Sequence, residues 1–167
     1  MQSGPQRSHS AMERKNYLPR SRVMKNQARF PYKVLVIEDH FLIAAAAEQA
    51  IADLGYEVIG AAASRTHALE YLGKADIALI DLNLLDGASG LEIARDFTAH
   101  GASVVIVTAN PEAVPLNTDA AIGVLAKPVD DASLSRVLKY LASRREGREI
   151  RCPRELQLFT GSPLLEA

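Results

Sequence analysis

Five short runs of aliphatic and β-branched residues punctuate this chain, and segments of helical character separate most of them. The runs are residues 33–37 (KVLVI), 57–62 (EVIGAA), 76–80 (DIALI), 103–107 (SVVIV) and 122–126 (IGVLA). Each is long enough for a buried strand and too short for a buried helix. Residues 41–54 are Ala-rich, contain no breaker and stop at Gly55, as a helix with a glycine terminus would. Ser64 can cap a short helix through Leu72 that Gly73 ends. Ser89 and Glu92 have capping-box spacing and open a helix to about His100. Asp130 or Asp131 caps a last helix through about Arg145. Strand and helix in alternation predict an α/β fold, a parallel sheet covered on both faces.

In such a sheet, ligands bind beyond the carboxyl ends of the strands, near the switch in strand order. Polar residues stand at four of those ends. The first strand ends in Glu38-Asp39, the third in Asp81, the fourth in Thr108 and the fifth in Lys127-Pro128. Three carboxylates on one rim repel one another. A divalent cation and a lysine relieve that repulsion. Oxygen-only ligands select a hard ion such as Mg²⁺. The set suits phosphoryl transfer to a carboxylate, with Asp81 as nucleophile and Glu38 and Asp39 holding the metal directly or through water. The metal and Lys127 would neutralise charge on the phosphoryl oxygens. Thr108 could donate a hydrogen bond to one of them, and the small Ala109 leaves them room. Taken singly, these elements have ordinary readings: a helix N-terminus for Glu38-Asp39, a turn cap for Asp81, a strand residue for Thr108, a solvated lysine for Lys127. Their joint placement is what is specific.

In this combination the chain resembles the response-regulator receiver family over about residues 33–145. The resemblance implies a flavodoxin-like five-stranded sheet in the order 2-1-3-4-5. It implies a phosphoryl group received from a phosphohistidine of a sensor histidine kinase or histidine phosphotransfer protein, a Mg²⁺ cofactor, and the Asn83 main-chain carbonyl as a further metal ligand. It also implies a cis Lys127–Pro128 peptide. Three positions depart from the family pattern. Val124 stands where many receivers carry a switch aromatic, three residues before the lysine. Residues 109–121 (ANPEAVPLNTDAA) hold Pro111 and Pro115. An interior proline costs about 3 kcal/mol in a helix, so the fourth helix is expected to be short or missing. Some single-domain receivers of alphaproteobacteria are similar in this respect. The loop after Asp81 lacks the proline that many receivers have there.

Composition narrows the function classes. The single cysteine, Cys152, excludes an internal disulfide framework and Cys-based zinc sites, and fits a cytoplasmic protein. No uncharged apolar run reaches about 18 residues, so no membrane insertion is expected. Charge is uneven: residues 1–33 carry eight Lys/Arg against Glu13, whereas residues 34–140 carry 15 acids and six bases. Residues 1–31 read as a basic, disordered tail, residues 32–145 as the receiver, and residues 146–167 as a C-terminal tail. That last segment is too short for a helix-turn-helix domain, so direct DNA binding is disfavoured. Its Leu156, Leu158, Phe159, Leu164 and Leu165 could pack back on the receiver or bind a partner, and an irregular tail is the competing reading.

The function expected is therefore a phospho-acceptor signalling domain, not an ordinary enzyme, with output by protein contact or phosphorelay to an unknown downstream protein. The alternatives are a receiver-like binding module that signals without phosphorylation, or an aspartyl-phosphate hydrolase. A hydrolase of the haloacid-dehalogenase type would need a general acid two residues after Asp81, where Asn83 stands.

Overall fold

A computed structural model describes residues 32–162. The basic arm expected over residues 1–31 lies outside the described residues. Six strands form one sheet in the order β2-β1-β3-β4-β5-β6. They are β1 (Lys33–Ile37), β2 (Glu57–Ala62), β3 (Ile77–Ile80), β4 (Ser103–Thr108), β5 (Gly123–Ala126) and β6 (Leu156–Leu158). The first five are parallel, and β6 runs antiparallel to β5. The helices are α1 (Phe41–Asp53), α2 (Arg65–Leu69), α3 (Gly90–Ala99) and α4 (Asp131–Arg145), with a 3₁₀ turn at Pro111–Ala113.

The period of two along each strand sorts the core into two layers. Val34, Val36, Ile77, Leu79, Val105 and Leu125 face one way, against Ile51 of α1 and Leu134, Leu138 and Leu141 of α4. Leu35, Ile37, Ala78, Ile80, Val104 and Ile106 face the other, against Ala68 of α2 and Ile93 and Phe97 of α3. Burial on both faces explains why these strands read as unbroken apolar runs.

Local chemistry sets the helix ends. Asp130 is extended at the start of α4, and its carboxylate accepts a hydrogen bond from Ser133 N at 2.6 Å. That bond, first, lowers the Asp130 pKa. The expected capping box at Ser89 does not form. Ser89 has φ −86° and ψ −6°, a helical conformation that aims its hydroxyl away from the helix N–H groups. The hydroxyl donates instead to Asp86 Oδ1 at 2.9 Å. The helix expected to reach Leu72 ends at Leu69 and continues as turns to Gly73.

Between β4 and β5 the prolines have the expected effect, and the 3₁₀ turn is the only helical element there among the described residues. What fills the space comes from the C-terminal segment. Over its described part, residues 146–162, this segment packs back on the receiver: Leu156–Leu158 pairs with β5 from Gly123 to Leu125, and Phe159 is fully buried in the core layer that holds Val114, Ala120, Ala121 and Val124, while Leu164 and Leu165 lie outside the described residues. Thr160 fastens the segment by donating from N and Oγ1 to the Leu116 carbonyl, at 2.8 and 3.1 Å. A Cβ at position 123 would lie 2.4 Å from the Gln157 carbonyl oxygen, so Gly123 is what lets β6 approach β5.

Two outcomes test this description. Phe159→Ala should cost about 3–5 kcal/mol in urea denaturation, as for any large core residue; a loss below about 1 kcal/mol would mean the segment is not core. The lowered pKa of Asp130 means its contribution is complete above the unfolded carboxylate pKa of about 4 and is lost as pH falls through the folded value. Asp130→Asn, which keeps a capping oxygen, should therefore lose less stability than the wild type on acidification, measured by thermal melts across the acid range.

Candidate functional site: an acidic rim bridged by one lysine

The strand order brings the predicted residues together. Ile37 pairs with Ile80, so Glu38-Asp39 and Asp81 emerge side by side. Thr108 pairs with Ala126, which places Lys127 next along the same edge. Glu38, Asp39 and Asp81 each offer a carboxylate oxygen, all within 4.8 Å of one another. Glu38 is only 6% exposed. At 4.8 Å and an effective dielectric near 20, two such charges repel by roughly 3 kcal/mol.

Lys127 answers this charge directly. Its Nζ donates to Glu38 Oε2 and to Asp81 Oδ2, each at 2.5 Å. Burial pulls the ammonium's pKa down, but hydrogen bonds to Asp81 and Glu38 outweigh burial, and the net shift is upward. The lysine stays charged. Backbone groups hold the remaining carboxylate oxygens: His40 N donates to Glu38 Oε1 at 3.0 Å and Asn83 N to Asp81 Oδ1 at 3.2 Å. His40 itself is exposed at the start of α1 and contributes through its backbone. Thr108 is fully buried, and its Oγ1 accepts from Asn110 N at 3.2 Å. The Lys127–Pro128 peptide is cis, as the resemblance implied.

Three features were not read from the sequence. The first is a clamp on the loop after Asp81. Arg65 N donates to Asp86 Oδ2 at 2.7 Å, and the Arg65 guanidinium reaches Asp96 Oδ2 at 3.0 Å. Asp86 thus ties the loop after Asp81 to the start of α2, and the Arg65 N–H with the Ser89 hydroxyl lowers its pKa. The second is Gly90. A Cβ there would lie 2.3 Å from the Asp81 carbonyl oxygen, so α3 packs straight onto the Asp81 backbone. The third is a groove of about 580 Å³ between α1 and α4. Leu42, Ile43, Ala46, Pro128, Val129 and Leu134 line it, and Glu38, Asp81 and Lys127 stand at its edge. Leu42 in its lining and Phe41, the residue before it, are 69% and 78% exposed. None of these has a local signature, because each joins segments far apart in the chain.

Fold and site together define a flavodoxin-like protein with an acidic, lysine-bridged centre at the carboxyl edge of its sheet. The chain belongs to the response regulator receiver domain family, whose pattern matches residues 34–139. It is 33% identical over 111 residues to the phyllosphere-induced regulator PhyR of Methylorubrum extorquens, a match covering 64% of this chain and 42% of that protein. It is also similar to the PhyR receiver domain of Erythrobacter litoralis, with 30% identity and a TM-score of 0.62 over 69% of this chain and 92% of that one. PhyR of Bartonella quintana, described as an anti-anti-sigma factor, aligns at 26% identity and a TM-score of 0.61 over 71% of this chain and 50% of that one. The chain therefore spans about two-fifths to half of these full-length regulators and matches their receiver part.

Helix propensity alone would favour Gly90→Ala by about 1 kcal/mol. Backbone contact at 2.3 Å should override it, giving a net loss of about 1–3 kcal/mol in urea denaturation. A stabilised variant would contradict the close packing of α3 on the Asp81 backbone.

Proposed function

We propose that Asp81 accepts a phosphoryl group from a phosphohistidine of a sensor kinase or phosphotransfer protein, and that the chain signals by protein contact or phosphorelay in the cytoplasm. The observation that carries this reading is the Asp81 carboxylate itself. It is held between Asn83 N and Lys127 Nζ, with two further carboxylates alongside.

The donor set fits a hard divalent ion. It is all oxygen, converges within 4.8 Å and carries more negative charge than one lysine cancels. Glu38, Asp39, Asp81 and the Asn83 carbonyl would hold Mg²⁺, which when bound supplies charge neutralisation to the phosphoryl oxygens. The chain's own groups do the rest. One Asp81 oxygen bonds to phosphorus as the P–N bond to the donor imidazole breaks, its electron pair remaining on the ring nitrogen. Lys127, already charged and directed at Asp81, pairs with the oxygens that gain charge. Thr108 can turn its hydroxyl from the Asn110 side toward the phosphoryl group. The apolar groove and the exposed Phe41 and Leu42 give a donor protein a surface to dock on beside the acceptor.

Intact mass after incubation with acetyl phosphate and Mg²⁺ tests this. One added phosphoryl group is expected, dependent on Mg²⁺ and absent from Asp81→Asn. Neither an adduct nor released phosphate would favour a receiver-like module that works unphosphorylated.

A further inference from the structure

We propose that β6 is the output element of this receiver: a strand that leaves the β5 edge when Asp81 is phosphorylated and opens that edge to an extended partner segment. The inference rests on the phospho-acceptor reading above. It starts from the position of β6, which is wired to both sides of the site.

One connection runs through β5. Lys127 lies two residues beyond Leu125, and Leu125 pairs with Leu156 at the start of β6. The Lys127 backbone N–H also donates to the Thr108 carbonyl at 2.9 Å, locking the ends of β4 and β5 together. A second connection runs through the segment after Thr108. Asn110 N bonds Thr108 Oγ1, and Leu116, six residues on, accepts both bonds from Thr160. Phe159, between Thr160 and β6, donates from N to the Ile122 carbonyl at 3.0 Å. Its ring is fully buried in the core layer that also holds Val114, Ala120, Ala121 and Val124. A phosphoryl group on Asp81 gives Lys127 and Thr108 a new common partner. Both responses strain the two surfaces that grip β6.

β6 has three paired residues at the sheet edge, so its release breaks few backbone hydrogen bonds, while Leu156 and Phe159 must leave the core with it and need a new cover. Its start is anchored separately, because Arg136 of α4 holds Glu155 by a hydrogen-bonded ion pair. Opening is therefore hinged at Glu155 and confined to the residues after it. Val124 is small where many receivers carry a ring, so the aromatic that could report the state of Thr108 is Phe159, delivered from the far end of the chain.

The occupant of the opened edge is defined by what now covers it. Leu156–Leu158 followed by Phe159 is an extended, antiparallel segment with an aromatic anchor entering an apolar socket. A partner would add a strand of that kind, hydrogen-bonding to β5 through its main chain.

Hydrogen exchange read by mass spectrometry on the full chain, with and without acetyl phosphate and Mg²⁺, tests the release. With the adduct verified by intact mass, amides of residues 156–160 should exchange at least about tenfold faster while those of β1 and β3 stay protected. Unchanged protection in the presence of the adduct overturns this inference and leaves the acceptor reading intact; finding neither an adduct nor released phosphate overturns both. A labelled peptide of residues 154–162 should bind the phosphorylated full chain and not the untreated one. Failure to bind despite faster exchange overturns the edge as a docking surface.

Discussion

Lys127 holds Glu38 and Asp81 at once, and the carboxyl edge of the sheet is organised around that double contact. Three acids converge there because β1 and β3 are neighbours, a consequence of topology that the local sequence does not offset. A partly buried cation between two carboxylates is costly to desolvate, and such a pair adds little net stability over an apolar substitute. The lysine sits on a different strand from either acid, so its placement needs β3, β4 and β5 in order and in register. The same register sets Thr108 beside Ala126 and opens the apolar groove between α1 and α4.

The opposite face solves a packing problem. Two prolines prevent a helix between β4 and β5, which would leave one layer of the core uncovered and β5 as a bare edge. The chain uses its own end instead. β6 satisfies the β5 backbone, and Phe159 supplies the apolar volume that a helix would have brought. Gly123 is the local concession that makes the approach possible. Two departures from the usual receiver pattern, the small Val124 and the missing helix, thus meet at one aromatic ring.

On the other side of Asp81, short-range and long-range contacts cooperate. Asp86 receives the Arg65 N–H and the Ser89 hydroxyl, while Gly90 brings α3 against the Asp81 carbonyl. The loop after Asp81 has no proline, and these contacts hold it in place of the stiffness a proline would give.

The sequence by itself determined the α/β class, the five parallel strands to within a residue or two, the loss of the helix after β4, and the residues at the strand ends. Those signals are local: β-branched runs, caps and prolines act on their own neighbours, and a strand's last residue is fixed once the strand is. The family resemblance added the strand order that makes the ends meet. Tertiary structure alone decided that Lys127 would bridge two acids, that Arg65 would clamp Asp86, and that Ser89 would turn from its cap to a neighbouring carboxylate. It also decided that a segment with tail-like composition would become a sixth strand. Leu156–Leu158 is too short to declare itself by periodicity, and Phe159 is buried only because an uncovered socket lies elsewhere in the chain. A vacancy created by two prolines is a property of three-dimensional packing, and no local pattern near residue 159 records it.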